Sequence, residues 1–187
     1  VTGTKKIRRK LEAGIGAERM VRVERDLRHA GRIDGFVLAV GTEWVLLAAT
    51  GDGGRPDGVI AVRIRDITGV EWDTSFESRF ARTLPSWPPT APGEPGLDST
   101  SEVLAYLGDH HAPIGIEKET ERRALWIGAI ESIDRKHVWL DEALPDASWR
   151  GPLGYRLKRI TSVHAGGRYL AALAVVAGQI PPRLAAR

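Results

Sequence analysis

The sequence predicts a mainly β protein with short helices, built as two tandem five-stranded small β-barrels, each flanked by helices. Three observations predict this. The chain repeats itself: RIRDITGVEW (63–72) returns as RLKRITSVHA (156–165), with Ile67 over Ile160, Thr68 over Thr161 and Val70 over Val163, an offset of 93 residues (160 − 67 = 93). The offset holds without a gap at Gly35 and Gly128, Val45 and Val138, Leu47 and Leu140, Gly58 and Gly151, Arg63 and Arg156, and Phe76 and Tyr169. Within each copy, apolar residues alternate with polar ones over short runs, the period of half-buried strands. Between the copies lies LPSWPPTAPGEPG (84–96), with five prolines and two glycines that no regular element accommodates.

Taken in order, Thr4 can cap a basic helix through KKIRRKLEA that stops near Gly14. Residues 20–27 alternate, with Val21, Val23 and Leu27 on one face. Residues 32–40 form a longer apolar strand, Gly41-Thr42 a tight turn and 44–49 a third strand. GDGGRPDG (51–58) is dense in turn residues and reads as a hairpin loop. In the fourth strand, 59–65, Ile60, Val62 and Ile64 point one way, and Ala61, Arg63 and Arg65 the other. The step from Ile67 to Val70 breaks the alternation, which suggests a 3₁₀ turn before a fifth strand at 70–72. Thr74 and Glu77 have capping-box spacing and open a helix to about Thr83. In the second copy a helix starts at Ser99, strands follow near 113–120, 124–133, 136–143, 152–158 and 161–165, and a helix closes at 168–177. The expected domains are thus 1–83 with its basic helix, the linker 84–97, 98–178, and a tail at 179–187. Trp87 in the linker is expected to pack on a barrel. Each half sits near the size where one core is marginal, so the copies should touch.

At 42% hydrophobic and 27% charged residues, the composition is that of a folded globular protein. The absence of cysteine excludes disulfides and thiolate chemistry and fits a reducing cytoplasm. No apolar run approaches the roughly 20 residues that span a bilayer, and the first residues carry no hydrophobic signal segment. A cytoplasmic protein without membrane contact is expected. The net charge of +3 is uneven: residues 1–32 hold ten Lys or Arg and four acids, leaving −3 for the rest. Such a basic arm can meet phosphates.

Two segments carry a resemblance. GAIESID (128–134) followed by HVWL (137–140) has a Gly–apolar–apolar–Asp spacing, repeated by Gly35, Val37, Val40 and Val45 with Gly41 in place of the Asp. The junctions 65–70 and 158–163 link the fourth and fifth strands of each copy. PDASW (145–149), then RITSV, then Gly167-Arg168-Tyr169 extend the likeness. The chain resembles Sm-like (LSm-type) small β-barrels, and more closely a widespread bacterial family of Sm-like proteins without an assigned function. The resemblance implies self-association or partner binding through edge strands, a fourth strand pairing with a neighbour's fifth. It also implies RNA as a ligand class, but Val45 and Val138 stand where RNA-binding members carry a base-contacting Asn, and Val offers no hydrogen bond. Arg65-Asp66 and Lys158-Arg159 stand where Arg-Gly is usual.

The leading expectation is therefore a non-enzymatic interaction or assembly module that binds a protein partner or itself. The alternative is a nucleic-acid binder working through phosphates with Lys5, Lys6, Arg8, Arg9 and Lys10 of the first helix and Arg63, Arg65, Arg156, Lys158 and Arg159 of the fourth strands. No cofactor, metal or catalytic residue is expected. His110-His111 are adjacent, so their rings diverge, and no metal-ligand spacing surrounds them. GDGGRPDG precedes a strand, without the helix N-terminus of a phosphate cradle. Trp126, Trp139 and Trp149 read as core or lid residues.

Overall fold

A computed structural model describes residues 2–28, 30–119 and 124–180. The first half comprises helix α1 (Thr2–Glu12), strands β1 (Met20–Arg25), β2 (Ile33–Val40), β3 (Trp44–Thr50), β4 (Pro56–Arg63) and β5 (Ile67–Asp73), and helix α2 (Phe76–Ala81). The second comprises α3 (Thr100–His110), β6 (Ile114–Lys118), β7 (Trp126–Ile133), β8 (His137–Ala143), β9 (Trp149–Arg156), β10 (Ile160–Ala165) and α4 (Arg168–Ala177). The 3₁₀ turn between fourth and fifth strands sits earlier than its sequence period suggests, at Ile64–Asp66 and Leu157–Arg159, and β5 begins at Ile67. The expected tail falls largely at 181–187, outside the described residues.

The two halves share one pairing plan. Val21 faces Gly35 in β1–β2, and Ile114 faces Gly128 in β6–β7. Trp44 faces Arg63 in β3–β4, and His137 faces Arg156 in β8–β9. The second strand of each half is bulged at the same place, between Val37 and Ala39 and between Ile130 and Ser132. All of these correspond at the 93-residue offset. Gly35 and Gly128 are glycines because a Cβ there would press on the backbone of Ala48 or Asp141 on the neighbouring strand.

The expectation of two closed barrels is overturned. All ten strands form a single open antiparallel sheet in the order β5-β1-β2-β3-β4-β10-β6-β7-β8-β9. The open edge of β4 is satisfied by β10 of the other half instead of by closure within its own, with Val62 facing Ser162 and Val59 facing Ala165. The core follows the sheet. One cluster, built on Leu11, Val21, Val37, Leu47 and Ile64, belongs to the first half. The other mixes Trp44, Leu46 and Ala61 with Val103, Leu107, Ile116, Leu140 and Val163, so the second core is covered in part by the first half. The linker contributes too: Leu97 is buried in that shared cluster, and Trp87 packs edge-on against Phe36 with ring centroids 4.8 Å apart. Among the described residues, no helix is long and apolar enough to cross a membrane.

Candidate functional site: the seam and its free counterparts

The β4–β10 seam is where chemistry and architecture meet. Arg63 ends β4 with only 4% of its surface exposed. Its Nε donates to Asp66 Oδ2 at 2.6 Å and its Nη1 to the Lys158 carbonyl at 3.0 Å, across the seam. Its Nη2 donates to Glu119 of the second half. Burial opposes the Arg63 charge, but Asp66 and then Glu119 outweigh it and raise its pKa above the ordinary value. Arg65 and Arg159 converge on the same carboxylate, at 3.3 and 3.5 Å. Glu119 is held below the usual carboxylate range: its burial works the other way, and the three guanidiniums prevail, Arg63 foremost.

A second ionic cluster spans the halves where the curled sheet brings β1 over β6. The Arg25 side chain, 2% exposed, donates to Glu117 Oε2 at 2.9 Å. Glu117 also accepts from the Ser162 hydroxyl at 2.6 Å and lies 3.9 Å from His164. Burial would raise its pKa, yet His164, Arg25 and Ser162 together bring it to about 2. Ser, His and Glu thus gather here without the arrangement of a hydrolytic triad. Ser162 has no exposed surface, and both Ser162 and Glu117 meet the same ring nitrogen of His164.

Gly58 closes the other end of the seam. Its φ of +79° and the backbone of Ala165, Gly166 and Gly167, which occupies the place a side chain would take, leave no room for a Cβ. Just before it in the chain, Asp57 Oδ1 accepts from the Arg168 backbone N–H at 2.8 Å across the seam, satisfying a free donor at the start of α4.

Every strand in this seam has a counterpart at a sheet edge. β5 is the counterpart of β10 and β9 that of β4, and each pairs on one side only, β5 with β1 and β9 with β8. Arg156 stands where Arg63 does, yet its third residue on is Arg159 instead of an Asp, and it is exposed. Gly151 stands where Gly58 does and has open space around it. Next to this edge, the 134–137 turn and the start of the following 3₁₀ turn enclose an open cavity of about 540 Å³ lined by Arg135, Lys136, His137, Arg156, Leu157 and Lys158. Its four Lys and Arg have no ion-pair partner among the described residues. The nearby acid, Asp134, is committed to its own turn. It accepts from the backbone of Lys136 at 2.7 Å and His137 at 2.9 Å and from the Trp139 indole at 3.0 Å. Lys136, Trp139 and His137, in that order, bring its pKa to about 2.

The ten cations expected to meet phosphates are therefore dispersed. Lys5, Lys6 and Arg9 are exposed on α1, Lys10 is half-buried, and Arg8 reaches back to the carbonyls of Gly41, at 2.5 Å, and Thr42. Arg63, read as outward-facing, is buried, because β4 is an interior strand whose outer face lies under the second half. Arg65 and Arg159 are engaged with Glu119, and only Arg156 and Lys158 line the cavity. Sequence reasoning missed Arg135 and Lys136, whose exposure beside a fourth strand follows from the turn that Asp134 sets up. The rings of His110 and His111 part as expected: His110 Nδ1 meets the Tyr106 carbonyl at 2.7 Å and His111 lies against Gly166. No cluster able to hold a metal occurs among the described residues. Trp149 donates to the Ala177 carbonyl at 3.0 Å at the end of α4, and Trp126 lies under Lys118, whose Nζ is 3.9 Å from the ring centroid. The chain matches no known family model, no curated protein and no solved structure.

Proposed function

We propose that the protein is a non-enzymatic assembly module whose copies join end to end, β9 of one pairing with β5 of the next. The carrying observation is the β4–β10 seam, which joins two strand types that recur unpaired at the two ends of the same sheet. Shifting its register by 93 residues sets Gly69 opposite Tyr155, Val70 opposite Gly154, Glu71 opposite Leu153 and Trp72 opposite Pro152 of a second copy. The same shift turns the contact of Arg63 with Glu119 into one of Arg156 with Asp26, and charge complementarity is kept. An antiparallel edge left open at both ends of a sheet is a template for a further strand.

The cysteine-free chain makes the test clean. Directly opposed residues of an antiparallel pair fall within disulfide reach. The double variant Glu71→Cys, Leu153→Cys is expected to give a ladder of covalent oligomers under mild oxidation. The off-register pair Glu71→Cys, Arg150→Cys, about 10 Å out of place along the strand, is expected to give background only. Arg156→Asp should weaken the ladder, and adding Asp26→Arg should restore it. Equal crosslinking by the two cysteine pairs refutes the reading.

A second reading, nucleic-acid binding, is favoured by the four cations of the cavity, which have no ion-pair partner among the described residues, together with exposed Lys5, Lys6 and Arg9. It predicts an affinity for labelled homopolymer RNA or DNA that drops steeply with salt and is reduced by Arg135→Glu, Lys136→Glu. A flat salt response removes it.

A further inference from the structure

Resting on the end-to-end reading, we infer that the joint between copies is closed by a phosphate polyanion held in the Arg135–Lys158 cavity. The internal seam shows what such a joint needs at this spot. The Thr42–Trp44 turn is met there by the chain that leads into α3: the Leu97 carbonyl accepts from the backbone of Glu43 and Trp44, and the Asp98 carboxylate accepts from the Thr42 backbone and hydroxyl. A turn that carries one acid, Glu43, thus meets carbonyl acceptors and a second acid, with the Arg8 guanidinium on the Gly41 and Thr42 carbonyls beside them.

At the free end the corresponding positions carry different chemistry. The counterparts of Thr42 and Glu43 are Arg135 and Lys136. At the 93-residue offset the positions of Leu97 and Asp98, which precede α3, fall on Thr4 and Lys5, which already lie in the first turn of the next copy's α1, with Lys6 beside them. The backbone N–H groups of Lys136 and His137 already donate to Asp134 and have nothing to offer a neighbour. An end-to-end joint therefore brings Lys5 and Lys6 of one copy onto Arg135, Lys136 and Lys158 of the other, with like charges facing where the seam sets an acid against a hydroxyl. Pro152, in the place of Val59, also removes one backbone donor from the joining ladder. Strand complementarity favours the joint while local charge opposes it, and a linear anion lying in the cavity between the two basic surfaces reverses the sign of the second effect. Phosphates suit it because Arg forks and Lys ammonium groups make up four of its six lining residues, with His137 and Leu157 beside them. Inorganic polyphosphate and a nucleic-acid backbone offer this chemistry alike.

The test uses the full chain as the Glu71→Cys, Leu153→Cys variant at low salt, with no additive, with long-chain inorganic polyphosphate, or with oligo-thymidylate. In-register crosslinking is expected to rise at least tenfold with one or both phosphate polymers, and which of them acts identifies the source. Adding Arg135→Glu, Lys136→Glu should give strong crosslinking without any polymer, because the reversed charges do the polyanion's work. Strong crosslinking without polymer in the unreversed variant, unchanged by either one, overturns the inference and leaves the end-to-end reading standing. Absence of in-register crosslinks under all conditions, with the reversed variant included, overturns both.

Discussion

Gly58→Ala examines the seam with a single methyl group. Gly58 sits at φ +79°, a conformation that costs an L-residue about 1–2 kcal/mol. The added Cβ would also fall closer than any real contact to the carbonyl oxygen of Ala165, the nitrogen of Gly167 and the carbonyl carbon of Gly166. These are backbone atoms on both sides of a turn capped by Asp57, so no flexible side chain can yield. Overpacking of this kind costs about 1–3 kcal/mol. The sum, about 2–5 kcal/mol, should lower the urea midpoint and reduce Tm by roughly 5–15 °C for a chain of this length. Gly151→Ala is the matched control: it occupies the equivalent position at the free edge with nothing within 4 Å. It should change monomer stability by less than about 0.5 kcal/mol. The assay is equilibrium urea unfolding followed by tryptophan fluorescence and far-UV circular dichroism. Indistinguishable midpoints for the two variants would refute the claim that the halves are closely joined at Gly58.

Two further substitutions address the ionic and apolar contacts between segments. Glu117 is lowered in the fold to about 2 from an ordinary value near 4.5, so the stability it confers is full above the ordinary value and is lost as pH falls toward 2. Glu117→Gln, which leaves the buried Arg25 without its carboxylate, should cost roughly 3 kcal/mol at pH 7. The gap to the unsubstituted chain should narrow steadily from pH 5 downward; a gap constant to pH 3 in denaturant titrations would contradict the assignment. Trp87→Ala removes the edge-on partner of Phe36, and a loss of about 1–3 kcal/mol with a change in fluorescence maximum is expected. No loss would show that the proline-rich segment is a passive spacer.

The strands were legible in the sequence because alternation reports which faces are buried, and the 93-residue repeat was legible because matched burial selects matched side chains. Which strands become neighbours was not legible. Alternation in β4 distinguishes two faces but does not say that both are covered, and Ile60, Ala61, Val62 and Arg63 are all buried. One signal was present: β4 reads as a continuous apolar run, VIAV, whereas β9 reads PLGY with exposed Gly154 and Arg156. The first is the composition of an interior strand and the second that of an edge. Arg63 misled for a related reason. An arginine at a strand end reads as solvated, and the acids that bury it, Asp66 and Glu119, lie on opposite sides of the seam. The cavity was missed because its turn residues acquire meaning only once Asp134 has folded them against β9.

The chain separation across the seam bears on the order in which the molecule folds. His164 opposes Ile60, 104 residues away (164 − 60 = 104), while the β2–β3 and β7–β8 hairpins close over a handful of residues. Bringing such distant ends together costs about 2–3 kcal/mol more in loop-closure entropy than closing a hairpin. Each meander therefore condenses first on local contacts, and β10 docks on β4 in a later, slower event. During that interval β4 is a nascent edge, and its apolar run is open to the wrong neighbour. At high concentration the β10 of another molecule competes for it, so refolding yield should fall with protein concentration well before the native state itself becomes unstable.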